Sequence, residues 1–179
     1  MKILLAFAPF ITFAILTAPL GATGALLAGA LVSAALIVHN HLKARTPKIL
    51  EIGTFTIFAG LSAYAYLAGS LSIIESKMLV DIGLLAIVLL SMVIGKPFTI
   101  QYAKDSVPQD LWGSPQFRRT NYVISAVWAL AFLAMVLAEA AMVYWPELSH
   151  TAGVITIALA LVGAMKFTSW YPKAATRAA

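Results

Sequence analysis

Long uncharged stretches dominate the chain and set its predicted architecture. The first, from Ile3 to Val38, carries no charged residue over 36 positions, whereas one membrane-spanning helix needs roughly 20 mainly apolar residues. A single straight helix of that length would measure roughly 54 Å, well beyond the thickness of a bilayer. Proline and glycine in Ala18-Pro19-Leu20-Gly21 favour a turn, so the run predicts two spans, near 3–19 and 21–40.

Four more apolar stretches predict spans near 49–68, 78–94, 122–145 and 151–170. Short polar segments separate them, and the stretches lack the alternation of a membrane β-barrel strand. The predicted fold is therefore all-α, a polytopic membrane helical bundle of about six transmembrane helices in a single integral membrane domain, 1–179. A connector at 95–121 is the longest segment predicted to lie outside the membrane.

Composition supports a membrane protein and excludes several kinds of site. The chain is 61% hydrophobic and 11% charged, against roughly 45–50% apolar and about 25% charged in soluble domains. The absence of cysteine excludes a disulfide framework, thiolate catalysis and thiolate metal sites. His39 and His41 diverge on a helix and have no evident third ligand, so the sequence predicts no metal and no cofactor.

The basic residues predict the orientation of the chain. With six crossings, eleven of the twelve Lys and Arg residues fall on the face that holds both termini, and Lys77 falls on the other. The positive-inside rule then places both termini in the cytoplasm. If the chain crosses the membrane five times instead, Lys2 falls on the opposite face. Ten basic residues then lie on one face and two on the other. The N-terminal segment also resembles a cleavable secretory signal, which is the alternative to its retention as a span.

One face of the predicted fifth span forms a stripe with polar groups at both ends. Steps of three and four residues bring six side chains onto this face: Asn121, Ser125, Trp128, Phe132, Met135 and Glu139. Glu139 lies six residues before Trp145, hence roughly 9 Å inside the end of the span. A carboxyl group at that depth is expected to face protein or water. It serves either as a structural hydrogen-bonding group or as part of a proton, cation or headgroup path.

Small residues recur every four positions in the second span: Gly21, Ala25, Gly29 and Ser33. Such a stripe lets helix backbones approach closely in lipid. We expect it to pack within the chain, and a homo-oligomer interface is the alternative. Glu51 and Asp81 begin the third and fourth spans, where an acid complements the helix dipole or pairs with a nearby lysine.

The connector at 95–121 interleaves aromatic and basic residues, as segments in the headgroup layer do. It predicts a surface for lipid headgroups or for another protein, formed by Lys96, Tyr102, Lys104, Trp112, Arg118 and Arg119. Nucleic acid is a poor partner, because two of the six charges in this segment are acidic. No signature of a soluble enzyme, such as GxSxG, HExxH or a phosphate loop, occurs in the chain.

Several short patterns resemble a known family, the bacterial inner-membrane proteins called intracellular septation protein A. These patterns are Phe7-x-Pro9, Lys48 leading into Thr54-Phe55, Lys96-Pro97, and Asn121 followed by Ala126-Val127-Trp128. The length and the order of spans are also similar. The resemblance implies a multi-pass protein of the bacterial inner membrane that takes part in septation and envelope maintenance, with division or envelope-synthesis proteins as partners. A non-enzymatic scaffold is therefore expected, and a small transporter or lipid-handling protein that uses the Glu139 stripe is the alternative.

Overall fold

The computed structural model describes residues 5–43, 46–69, 71–145, 147 and 149–177, with side chains described up to residue 174. Six α-helices account for most of this part of the chain, namely α1 (Ala8–Leu42), α2 (Ile49–Ala68), α3 (Ile73–Val93), α4 (Phe98–Ala103), α5 (Pro115–Tyr144) and α6 (His150–Arg177). A 3-10 turn, Gln109–Leu111, precedes α5. Within the described ranges there is no strand, which confirms the all-α fold. Lys2, Arg45, Ser70, Pro146 and Leu148, which belong to predicted spans or loops, lie outside these ranges.

Four helices of the described chain are long and apolar enough to cross a membrane: α1, α2, α5 and α6. Their surfaces agree with that assignment, because large apolar side chains such as Leu31, Tyr66, Leu137 and Leu159 are exposed. Large apolar side chains exposed in such number are typical of surfaces that contact a membrane or another protein. Helix α3 is not one of these four candidate spans. Three charged residues, Glu75, Lys77 and Asp81, lie in its first half. The chain is thus a helical protein suited to a membrane.

Helix α1 contains both of the first two predicted spans and is broken at Gly21. This residue has φ 68° and ψ 178°, a conformation open essentially to glycine. The two arms, 8–20 and 22–42, contact one side chain: the Phe13 ring lies 5.6 Å from the Phe58 ring, and Gly29 packs directly on Phe58. Residues 13 and 29 of an unbroken helix would be roughly 24 Å apart. The chain therefore reverses at Gly21 and forms a helical hairpin.

The chain divides into two compact units, Met1–Ile87 and Val88–Ala179. The core of the first unit includes buried residues of the α1 hairpin, α2 and α3: Phe13, Ala25, Leu26, Ala30, Phe58, Ala65 and Val80. Here α2 and α3 pack through two reciprocal contacts that the sequence analysis missed. A Cβ on Gly53 would lie 2.5 Å from Ile87 Cδ1, and a Cβ on Gly83 would lie 2.5 Å from Ile57 Cδ1. Each glycine accommodates an isoleucine of the antiparallel neighbour, so the backbones approach closely.

The second unit contains the end of α3 with α4, α5 and α6. Helices α5 and α6 run antiparallel, because Trp128 bonds to Thr168 while Met142 contacts Gly153. Most residues of α6 are exposed. Among the side chains of this helix that the structure describes, one is buried, that of Ala164. An apolar helix with so little protein cover suits contact with lipid chains.

The structure changes several predicted boundaries. Helix α2 coincides with the predicted span 49–68, whereas α3 begins five residues earlier than predicted, at Ile73. Its start is fixed by a capping box in which the Ser72 backbone N–H donates to Glu75 Oε2 at 2.9 Å and the Glu75 N–H donates to Ser72 Oγ at 3.2 Å. Hydrogen bonds to the Glu75 carboxylate, first from the Ser72 side chain and second from the Ser72 backbone N–H, lower the pKa of this carboxyl group. Helix α5 begins at Pro115, so the last seven residues of the predicted connector 95–121 are helical and continuous with the predicted span 122–145.

Candidate functional site

The predicted stripe on α5 is buried in the second unit. All six of its side chains have little contact with solvent: Asn121, Ser125, Trp128, Phe132, Met135 and Glu139. The three- and four-residue spacing places them on one face of a helix, and α4 and α6 supply hydrogen-bond partners for this face. The candidate site is therefore a buried polar column along α5.

Helix α4 closes the N-terminal end of this column. The Thr99 hydroxyl donates to the Asn121 carbonyl oxygen at 2.9 Å, and Thr99 Oγ1 lies 2.9 Å from Ser125 Oγ. Because Thr99 has a single hydroxyl hydrogen, Ser125 is the donor of the second bond. The Asn121 side-chain amide donates to the Phe117 carbonyl at 2.8 Å. Each of these buried polar groups thus has a partner, as stable burial requires.

The position of α4 follows from the way α3 ends. Gly95 has φ 74°, which terminates the helix, and Pro97 cannot donate a backbone hydrogen bond. Ser91 Oγ then accepts from the Phe98 backbone N–H at 3.1 Å, while the Ser91 carbonyl accepts from the Lys96 N–H at 2.9 Å. These bonds fix the turn that directs Phe98 and Thr99 into the interior.

The middle of the column is tied to α6. Trp128 Nε1 donates to Thr168 Oγ1 at 2.9 Å, and the Thr168 hydroxyl donates to the Ala164 carbonyl of its own helix at 2.7 Å. A buried indole N–H usually finds such a partner. This pair holds α5 against α6 at a fixed register.

Glu139 lies toward the other end of the column and is 3% exposed. It is six residues before Trp145, and Trp145 and Tyr144 are exposed with their rings 6.4 Å apart. Exposed tryptophan and tyrosine at a helix end are typical of the membrane–water interface, and Glu139 lies roughly 9 Å from this pair along the axis of α5. The arrangement is compatible with both predicted uses, a structural hydrogen bond and a protonatable group.

The connector surface differs from its prediction at one residue. Lys96, Lys104, Arg118 and Arg119 are exposed, whereas Tyr102 is 6% exposed. Tyr102 is therefore not part of the exposed surface of the described chain, because α4 is a helix whose Phe98, Thr99 and Tyr102 are buried. Interleaved aromatics resemble an interfacial belt, but here a short helix turns two of them into the core. The four exposed cations with Trp112 are called the basic connector surface below.

Trp112 orders this surface. Its Nε1 donates to the Val107 carbonyl at 2.9 Å, and Lys104 Nζ lies 4.8 Å from the centre of its ring. The distance is within the range of a cation–π interaction. Helix α5 starts after Ser114, whose Oγ accepts from the Phe117 N–H at 3.1 Å, so Arg118 and Arg119 project from its first turns.

The small-residue stripe has two different roles in the first unit. Ala25, Gly29 and Ser33 are buried, and the Ser33 hydroxyl donates to the Gly29 carbonyl at 2.9 Å. Gly29 approaches so closely that an added Cβ would lie 2.7 Å from the Phe58 ring. Gly21 is exposed in the hairpin turn and has no atom within 4 Å of an added Cβ. Within the described chain Gly21 therefore contributes a backbone conformation to the turn and does not pack against a neighbouring helix.

A second buried acid occurs in the first unit. Glu51 Oε1 accepts from Asn40 Nδ2 at 3.0 Å, and Oε2 accepts from the Lys48 backbone N–H at 3.3 Å. The predicted lysine contact thus involves the Lys48 amide, and the Asn40 partner was missed because it belongs to another helix. Asp81 is also buried. His39 and His41 are exposed, and no group suited to hold a metal ion occurs among the described residues.

Comparisons with protein-family models, with curated proteins and with solved structures give no match to this chain.

Proposed function

We propose that the chain is a multi-pass protein of the bacterial inner membrane with six crossings and both termini in the cytoplasm. The hairpin of α1 supports two crossings, and α2, α3, α5 and α6 supply the other four. The distribution of charge agrees, because this arrangement places every Lys and Arg except Lys77 on one face.

Cysteine labelling tests this topology. The native chain has no cysteine, and Ser72, Ser106 and Ser149 are all exposed, so each accepts a probe with a small change in volume. We expect a membrane-impermeant thiol reagent applied from outside to label Ser72→Cys and Ser149→Cys but not Ser106→Cys. Permeabilised cells provide the control, since all three should then react. Labelling of Ser106→Cys in intact cells would contradict the orientation.

Within this topology we infer a non-enzymatic scaffold in cell division and envelope maintenance. The observation that carries the inference is the state of the polar column: Thr99, Asn121, Ser125 and Trp128 are engaged in hydrogen bonds with neighbouring helices and their own backbone. Groups used in this way hold helices together. The basic connector surface remains exposed to the cytoplasm, where it is suited to bind an acidic protein segment.

A transporter or lipid-handling protein is the second candidate. Glu139 supports it, because an intramembrane carboxyl group is costly and often marks an ion or proton path. The septation resemblance and the paired column favour the scaffold.

Complementation of a deletion strain distinguishes the two candidates, with cell length and detergent sensitivity as readouts. We expect Glu139→Gln to restore both, because the amide keeps the shape and an acceptor. Glu139→Leu should lower the stability of the purified protein by about 1–2 kcal/mol, the range of interhelical polar contacts in membranes. A transporter predicts that the Gln variant is folded but inactive, since an amide does not titrate.

The basic connector surface provides a second test, in which the scaffold proposal predicts a loss of function. Replacing its four cations by glutamine should abolish complementation by a scaffold while the melting temperature stays unchanged. Exchange of lysine for arginine and arginine for lysine at the same positions is the matched control, because it keeps the charge and the orientation signal. If the glutamine variant is inserted correctly and still complements, the scaffold proposal is wrong.

A further inference from the structure

One side of α6 carries six exposed side chains along the length of the helix: Ile155, Leu159, Val162, Lys166, Trp170 and Lys173. Steps of three and four residues place them on the same side of a helix. The opposite side contacts α5, because Ala164 is buried and Thr168 accepts a hydrogen bond from Trp128. The exposed side is thus apolar over its first half and ends in two lysines and a tryptophan.

Trp170 indicates where this side of α6 meets the surface of the membrane. His150, the first residue of α6, follows the exposed Trp145, and Trp170 is twenty positions further along the helix. A helix of that length measures roughly 30 Å, the thickness of the hydrocarbon core. The Trp170 ring lies 5.8 Å from the Phe167 ring, which stacks on Tyr171 at 5.0 Å. These three rings have the composition of an interfacial aromatic belt.

The two lysines lie on either side of this belt. Lys166 is four residues before Trp170, hence roughly 6 Å deeper along the helix axis. A charged side chain within the bilayer is costly, and the flexible stem of an exposed lysine extends to bring its ammonium group to the interface. Lys173 is three residues beyond Trp170, on the headgroup side. Glu139 is the one acidic residue of α5 and α6, and it is buried toward the other end of the pair. The counter-charge for both lysines therefore comes from outside these two helices.

We propose that Lys166, Trp170 and Lys173 bind one anionic phospholipid. Its phosphate group accepts hydrogen bonds from the two ammonium groups and from the indole N–H. Its acyl chains lie along the exposed apolar side chains of Leu159 and Val162. A free phosphate ion would match the cations and leave this apolar surface uncovered, so the ligand is a lipid. The inference rests on the membrane location proposed above and is independent of the scaffold role.

Quenching of tryptophan fluorescence by brominated lipid measures which lipid occupies this position. The full chain is reconstituted into phosphatidylcholine vesicles in which about a tenth of the lipid is brominated, as phosphatidylglycerol or as phosphatidylcholine. Comparison with Trp170→Phe isolates the fluorescence of Trp170. Two cations near an anionic headgroup give a preference of roughly tenfold, so the site holds phosphatidylglycerol about half of the time. We therefore expect brominated phosphatidylglycerol to quench Trp170 about fivefold more than brominated phosphatidylcholine does.

Substitution of the two lysines tests their part in this preference. The double variant Lys166→Gln, Lys173→Gln should be quenched equally by the two lipids, whereas Lys166→Arg, Lys173→Arg should keep the difference. The variant Lys43→Gln, Lys96→Gln is the matched control, because it removes the same charge from exposed lysines outside α6. Equal quenching of Trp170 in the native chain, or a difference that persists without both lysines, overturns the proposal. Failure of the native chain to float with the vesicles overturns the membrane location itself, and this site with it.

Discussion

Gly29→Leu is expected to destabilise the first unit strongly, whereas Leu31→Ala is expected to leave its stability nearly unchanged. An added Cβ at residue 29 would lie 2.7 Å from two carbons of the Phe58 ring. Phe58 is fully buried and its ring centre lies 5.2 Å from that of Phe10, so it has little freedom to move away. Overpacking of this kind costs about 1–3 kcal/mol, and the three further carbons of leucine place it at the upper end. Leu31 is 63% exposed on the same arm.

Thermal melting in detergent, together with the yield of monodisperse protein, measures this difference. Combining Gly29→Leu with Phe58→Ala provides a rescue, because the truncated ring leaves room for the leucine. The double variant should be more stable than either single one, a coupling expected of residues in contact. Equal melting temperatures for Gly29→Leu and the native protein would contradict the packing. A loss of oligomer mass without loss of stability would instead favour the homo-oligomer alternative.

The helices were predictable from the sequence because a bilayer requires long apolar stretches and internally satisfied backbones. The break near Gly21 followed from proline and glycine inside a run too long for one crossing. The burial of the α5 stripe followed from helical spacing, since one carboxyl group identified the inward face. These features depend on local sequence, so a single chain is enough to find them.

Contacts between helices were not predictable in the same way. Asn40 bonds to Glu51 across eleven residues, and no local pattern links them. In the sequence, Gly53 and Gly83 are isolated glycines with no visible partner. Their isoleucine partners are identified only when the packing of α2 against α3 is known. Tyr102 was assigned to the surface because aromatic and basic residues alternate there. Its burial depends on Ser91 and Gly95, which turn the chain before α4 begins.

The hairpin of α1 is expected to depend on Gly21 through backbone conformation alone. No atom lies within 4 Å of an added Cβ at this exposed position, so Gly21→Ala introduces no steric clash with the rest of the protein. The residue nevertheless has φ 68° and ψ 178°, and holding alanine there costs about 1–3 kcal/mol. The melting temperature should fall by at least about 2 °C. Gly60→Ala is the control, because Gly60 is exposed, helical and equally open, and alanine there should be neutral or slightly stabilising.

Removing both helix breakers should change the path of the chain. In Pro19→Ala, Gly21→Ala the whole of α1 favours a continuous helix of roughly 52 Å, which competes with the hairpin. The continuous helix cannot bring both Phe13 and Gly29 to Phe58, so the core opposes it. We expect a mixed population in which part of the protein places a tag before Met1 on the outside, detected by protease access in intact cells. A tag that stays entirely cytoplasmic, with an unchanged melting temperature, would show that packing around Phe58 forms the hairpin without help from Gly21.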